Sequence, residues 1–169
     1  MRVLVTAASR HLSTHEIATA IAAGLIDRGI EAVAVPVEQV TTLDGFDAVV
    51  LGSAVHMGRW LGEARRLAQI HAAALCVMPV WLFSSGPVGA IEHAMAPETP
   101  ADVSVLMRIT QAISHRTFGG RLDMRRLHFA ERTVVRMTQA PEGDSRDWDA
   151  VNRFAAEIAD ELVARHTAA

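Results

Sequence analysis

The sequence contains no lysine and no tyrosine, and the first absence excludes a class of chemistry. Its basic side chains, histidine apart, are all arginine, so a lysine Schiff base and the lysine of a P-loop are excluded. The single cysteine, Cys76, has no partner for an internal disulfide, and we expect a reducing, cytoplasmic location. No charged segment followed by an apolar one opens the chain, as a secretory signal would. Apolar runs such as Val77 to Phe83 are far shorter than the roughly 20 residues of a spanning helix, so no transmembrane segment is expected.

The charge of the chain is close to balanced. Its 169 residues carry a formal net charge of -3, with 50% hydrophobic and 21% charged side chains, a composition typical of an ordered, soluble protein. The length favours a single domain over residues 1–169. The sequence pI of about 6.2 argues against nucleic acid as a partner and favours a small molecule or another protein.

Short apolar runs alternate with stretches of helical periodicity along the chain. Strands are predicted at Arg2–Thr6, Ile30–Val35, Phe46–Leu51, Pro79–Phe83 and His115–Phe118. Helices are predicted from Ser13 to the residues before Gly29, from Leu61 to about Ala74, from about Asp102 to Ile113, in part of 122–138, and from Trp148 onward. This alternation predicts an α/β domain with a parallel sheet, whose ligands lie beyond the carboxyl ends of the strands.

The loop after the first strand combines hydroxyl groups with the start of a helix. It consists of Ser9, Arg10, His11, Leu12, Ser13 and Thr14. Unpaired N–H groups and the helix dipole favour a phosphate at such a position. Ser13 and Glu16 also have the spacing of a capping box, so helix capping is the simpler interpretation of that hydroxyl. Neither the G-x-G-x-x-G of a dinucleotide site nor the G-K-[ST] of a Walker loop is present.

Two further loops rich in small residues follow the third and fourth strands. They comprise Ala54, Val55, His56, Met57, Gly58, Arg59 and Trp60, and then Ser84, Ser85, Gly86, Pro87, Val88 and Gly89. A tight turn explains either loop taken singly. Together with the first loop, they suit the two sides of a flat ring, which would stack on Trp60 or lie against Met57 and His56.

With these motifs the sequence resembles the flavodoxin-like FMN proteins, particularly the branch of the menaquinone-dependent protoporphyrinogen oxidases. The resemblance rests on three stretches: Val3-Leu4-Val5 leading into Ser9 to Ala18, Asp47 to Ser53 followed by Gly58, and Asp147-Trp148 to Ala159. It implies a doubly wound, five-stranded parallel sheet in the order 2-1-3-4-5, with helices on both faces. It also implies FMN, with its phosphate in the loop from Ser9 to Thr14 and its isoalloxazine between Ala54–Trp60 and Ser84–Gly89.

The resemblance implies an FMN-dependent oxidoreductase or electron-transfer protein, with a quinone or a protoporphyrinogen-type compound among the substrates. A deazaflavin in the same loops and a cofactor-free interaction module of the same fold are the alternatives. Leu12 stands where flavodoxins usually have glycine. No catalytic acid or base, no metal site and no particular redox partner is predicted. The apolar stripe with Trp148 and Phe154 is interpreted as core packing, with a homodimer contact as its alternative.

Overall fold

A computed structural model describes residues 1–86, 100–122 and 143–168. Its central sheet contains five parallel strands, β1 (Arg2–Ala8), β2 (Glu31–Pro36), β3 (Ala48–His56), β5 (Val80–Ser85) and β6 (Ser114–Phe118). They lie in the order β2-β1-β3-β5-β6, and the short strand β4 (Arg59–Trp60) pairs antiparallel with the end of β3. A separate antiparallel pair joins β7 (Arg121–Leu122) to β8 (Gly143–Asp144). β4 is only the second arm of a hairpin. Without it, the five parallel strands have the predicted order 2-1-3-4-5, with β5 and β6 as the fourth and fifth strands.

Helices cover both faces of the sheet. α1 (Ser13–Ile26) and α5 (Trp148–Thr167) pack on one face, while α2 (Gly62–Ile70), α3 (Ala72–Leu75) and α4 (Val103–Thr110) pack on the other. Strand β1 shows why both faces are apolar, since Val3 and Val5 enter the first core cluster and Leu4 enters the second. Within the described ranges, no helix is both long and apolar enough to span a membrane.

Two elements differ clearly from their predicted boundaries. Strand β3 continues past Leu51 to His56, because Gly52 to Ala54 pair with neighbouring strands and the last two residues pair with β4. The helix expected over 61–74 is interrupted at His71, whose backbone (φ −99°, ψ 15°) leaves the helical region. The helix predicted in part of 122–138 falls almost wholly outside the described residues. The single domain over 1–169 stays a prediction.

One glycine in the sheet makes an unusually close contact. A Cβ built on Gly52 in β3 would lie 2.1 Å from the ring of Phe83 in β5, where no real carbon could fit. Phe83 is fully buried in the first core cluster, so its ring can move only if the side chains packed around it move too. The aromatic ring therefore occupies the space that a side chain at position 52 would need.

We expect Gly52→Ala to lower the free energy of unfolding by about 1–3 kcal/mol through overpacking, measured by urea denaturation. The matched control is Gly62→Ala at the start of α2, where an added Cβ meets nothing within 4 Å and the stability should stay equal or rise. In a Phe83→Leu background the alanine at position 52 should cost less. An equal cost in both backgrounds would contradict the contact as its cause.

Candidate functional site

The sheet brings the ends of four parallel strands to one edge. Ala8 of β1 pairs with Ser53 of β3, and Ser85 of β5 pairs with Ala54 on one side and Phe118 of β6 on the other. Since these strands are parallel, the loops that follow them leave the sheet at the same edge, here called the carboxyl edge. The loops Ser9–Thr14 and Ala54–Trp60 and the segment Ser84–Gly86 therefore lie at this edge. Pro87, Val88 and Gly89 of the third predicted loop lie outside the described residues.

The first loop ends in a left-handed residue. Leu12 has φ 67° and is 55% exposed, and α1 begins directly after it at Ser13. The Thr14 N–H donates to Ser9 Oγ over 3.3 Å. Within the described residues, the N–H groups of Ser13 and His15 have no acceptor. Free N–H groups at the start of a helix, with the positive end of its dipole, form a site suited to an anion such as a phosphate.

The predicted capping box at Ser13 is wrong. Leu12 occupies the cap position, so Ser13 is already a helical residue and its Oγ accepts from the N–H of Arg121 over 3.2 Å. The carboxylate of Glu16 accepts from Arg146 instead of reaching back to the cap. The hydroxyl that accepts from an N–H of the first helical turn is that of Ser9, and the sequence spacing did not predict this bond.

The second loop is a tight β-hairpin that presents a methionine to solvent. His56 pairs with Arg59, and the two residues between them, Met57 and Gly58, have φ values of 50° and 72°. Positive φ at both central positions is the requirement of a type I′ turn, and it is uncommon for a side chain such as methionine. Met57 is 90% exposed at the tip, with His56 and Arg59 exposed beside it. The hairpin thus offers three accessible side chains at the carboxyl edge.

Trp60 anchors the hairpin and offers no stacking face. The residue is only 2% exposed and belongs to the core cluster on the α2 face. Its Nε1–H donates to Ser84 Oγ over 2.7 Å, and its backbone N–H donates to the Asp102 carboxylate at 3.2 and 3.3 Å. The Ser53 hydroxyl accepts from the N–H of the next residue, Leu61, over 2.9 Å. The interpretation of Trp60 as a stacking surface is therefore corrected, since a ring already covered by protein has no face for a ligand.

A histidine that sequence reasoning missed completes this network. His115 Nε2 lies 2.8 Å from Ser84 Oγ, and burial lowers the pKa of its imidazole to about 4. The indole N–H of Trp60 can only donate, so Ser84 Oγ accepts from it, and the hydroxyl proton is free to be donated to an unprotonated Nε2 of His115. The chain of hydrogen bonds is therefore consistent with a neutral imidazole. It connects the hairpin to β5 and β6 beneath the candidate site.

The third segment turns out of the sheet at Gly86. Its φ of 101° lies in the region that favours glycine, and its N–H donates to the Phe118 carbonyl over 3.1 Å. A Cβ on this residue would lie 3.9 Å from the Val55 carbonyl oxygen, so the two loops run close together. The structure thus brings the hairpin and the end of β5 next to each other at the carboxyl edge.

Comparisons with known proteins agree with this architecture. A flavodoxin from the domain Archaea superposes with a TM-score of 0.66 at 15% identity, covering 96% of this chain and 99% of that one. Oxidised flavodoxin 1 from Bacillus cereus gives a TM-score of 0.63 at 14% identity over 95% of this chain and 98% of that one. These likenesses confirm the predicted fold class, a doubly wound α/β sheet of flavodoxin type.

The chain belongs to the flavodoxin domain family, whose model matches residues 4–149. It is also similar to protoporphyrinogen IX dehydrogenase (quinone) of Escherichia coli strain K12, with 26% identity over 172 aligned positions that cover 94% of this chain and 95% of that protein. The predicted resemblance to flavodoxin-like proteins is thereby confirmed.

We expect Leu12→Gly to raise the free energy of unfolding by up to about 1 kcal/mol, because glycine removes the penalty of the left-handed backbone at an exposed position. Chemical denaturation of the two proteins measures the difference. Leu12→Ala keeps a Cβ at the same φ and should give no gain. A loss of stability in the glycine variant would contradict this account of the loop.

The lowered pKa of His115 predicts a pH dependence of stability. Between pH 6.5 and about 4 the unfolded chain binds a proton that the folded protein excludes, so the free energy of unfolding falls as the pH drops through this window. His115→Gln, whose amide can still bond to Ser84, should show a smaller loss between about pH 7 and about pH 5, measured by urea unfolding. His166→Gln, at the exposed end of α5, is the control and should behave as the wild type. An unchanged pH dependence in the His115 variant would refute the prediction.

Proposed function

We propose that the protein binds FMN at the carboxyl edge of its sheet and acts as an oxidoreductase. The observation that carries this proposal is the start of α1, where the N–H groups of Ser13 and His15 lack an acceptor among the described residues. A phosphate monoester satisfies such groups and interacts favourably with the helix dipole. The hairpin 54–60 and the segment 84–86 leave the same edge, which suits the ring that extends from that phosphate.

Each loop has a role in this proposal. Residues 9–14 hold the phosphate through backbone N–H groups and hydroxyls, and residues 54–60 and 84–89 flank the isoalloxazine. His56 and Met57 are the side chains available to cover the ring, because both are exposed and Trp60 is not. The exposed Arg59 on the same hairpin would stabilise negative charge on a reduced ring. Bound FMN would supply the electron-transfer chemistry, and the protein would tune it through these contacts.

The substrates proposed follow from the similar enzyme. The name of the Escherichia coli relative states a protoporphyrinogen as the compound dehydrogenated and a quinone as the acceptor. We propose the same two classes here, a porphyrinogen-type donor and a quinone acceptor, acting in the cytoplasm. A deazaflavin in place of FMN and a cofactor-free interaction role are the alternatives that the experiment below separates.

The test is a titration of the purified protein with FMN, followed by the quenching of flavin fluorescence, with riboflavin as the ligand that lacks the phosphate. We expect Ser9→Glu to weaken FMN binding at least tenfold, because it places a carboxylate against the phosphate dianion, while riboflavin changes little. Thr19→Glu adds the same charge at an exposed position of α1, further from the loop, and serves as the matched control.

The chromophore that copurifies with the protein is released by heat and identified by mass, which distinguishes FMN from a deazaflavin. Protein that neither carries nor binds FMN would overturn the proposal and favour the deazaflavin or the interaction role. Equal FMN affinity in the wild type and in folded Ser9→Glu would place the phosphate elsewhere. Turnover of a quinone with a porphyrinogen then tests the proposed substrates.

A further inference from the structure

An arginine whose side chain is almost wholly covered lies against the first turn of α1, outside the three loops. The side chain of Arg146 is only 4% exposed. Its Nε and Nη2 donate to the two oxygens of Asp144 over 2.8 and 2.6 Å, and its Nη1 donates to Glu16. Its guanidinium carbon lies 4.5 Å from the ring centroid of Trp148. We call Glu16, Arg121, Asp144, Arg146 and Trp148 the Arg146 cluster.

The cluster is held together by charge-assisted hydrogen bonds. The bidentate bond to Asp144 raises the pKa of the Arg146 guanidinium above its already high value, and the same bond lowers the pKa of the Asp144 carboxyl. A guanidinium with so little contact with water needs such partners to offset its desolvation. Arg146 is therefore fixed in one position by three neighbouring side chains.

The same cluster is bonded to the phosphate loop. The N–H of Glu16 donates to the Leu12 carbonyl over 2.9 Å, and the N–H of Arg121 donates to Ser13 Oγ over 3.2 Å. Arg121 Nη1 also lies 3.9 Å from the Glu16 carboxylate. The strands β7 and β8 that carry Arg121 and Asp144 are thus attached to the residues that begin α1.

The position of Glu16 creates an electrostatic problem for an anion in this loop. Glu16 belongs to the first turn of α1, as do Ser13 and His15, whose N–H groups are the proposed donors to the phosphate. Without a counter-charge, a carboxylate one helical turn from a phosphate dianion would repel it. Arg146 supplies that counter-charge through a direct bond, and it holds the carboxylate against β8.

We propose that Arg146 is a positioning residue for the phosphate of the cofactor: by neutralising Glu16 and fixing the start of α1, it lets the protein select FMN over riboflavin. This inference rests on the proposed function. Its role is indirect, since the residue acts through Glu16 and not through contact with the ligand. The effect of its loss should therefore depend on whether the ligand carries a phosphate and on whether Glu16 is charged.

The experiment measures dissociation constants of FMN and riboflavin by fluorescence quenching for the wild type and four variants. Arg146→Gln should weaken FMN binding at least tenfold and riboflavin binding less than twofold. Adding Glu16→Gln to that variant should recover FMN affinity to within about threefold of the wild type, because the carboxylate that lost its bond to Arg146 is gone. Arg146→Lys keeps the charge and should lose less. Arg153→Gln, an exposed arginine of α5 whose Nη2 lies 3.7 Å from Asp147, is the control and should change neither ligand.

The ratio of the two affinities separates an electrostatic role from a structural one. Equal losses for FMN and riboflavin, or no recovery with Glu16→Gln, would overturn the inference while leaving the proposed function intact. If Arg146→Gln does not fold, Arg146→Lys decides: because it keeps the positive charge, it should largely preserve the ratio of the two affinities, and a tenfold loss for FMN alone in that variant would overturn the inference. A wild-type protein that binds neither ligand would overturn the proposed function and this inference with it.

Discussion

The left-handed backbone at Leu12 is the constraint on which the start of α1, and with it the proposed phosphate site, depends. It stops the loop after β1 and starts α1 at the next residue, where the N–H groups of Ser13 and His15 have no acceptor among the described residues. It also places Ser13 inside the helix, where its hydroxyl accepts a bond from β7 and not from its own helix. A backbone cost at one exposed leucine thereby accompanies both the proposed anion site and the connection between α1 and the β7–β8 pair.

The other end of the site is built on a rigid base. Trp60 buries its ring in the core and bonds to β5 through Ser84, while its backbone bonds to Asp102 at the start of α4. The hairpin that carries the exposed Met57 is therefore held in place by the packing of Trp60 and by its hydrogen bonds to Ser84 and Asp102. This division is typical of sites in α/β proteins, in which loops supply the chemistry and the sheet fixes their positions.

Local patterns predicted most of the fold, because apolar periodicity reports which faces of strands and helices are buried. This periodicity predicted all five parallel strands. It also predicted the helices after β1 and β3, the helix before β6 and the last helix. The common edge of the three candidate loops was predicted too, since parallel strands in neighbouring positions end at one edge. The role of Trp60 was not predicted, because it depends on Ser84 and Asp102, which are 24 and 42 residues away in the sequence. The capping box failed for a different reason: its spacing does not report the φ of the preceding residue. Strands of two residues, such as β7 and β8, have no periodicity to detect.

The contact between Gly52 and the Phe83 ring also constrains how this sequence can diverge. The two positions lie on neighbouring strands and share one volume, so neither can change in size without a compensating change in the other. Among descendants of this chain, a larger residue at position 52 is expected only together with a smaller one at position 83. Such paired changes would appear as covariation between two residues that are 31 positions apart. This covariation would identify the pairing of β3 with β5 from sequence variation alone.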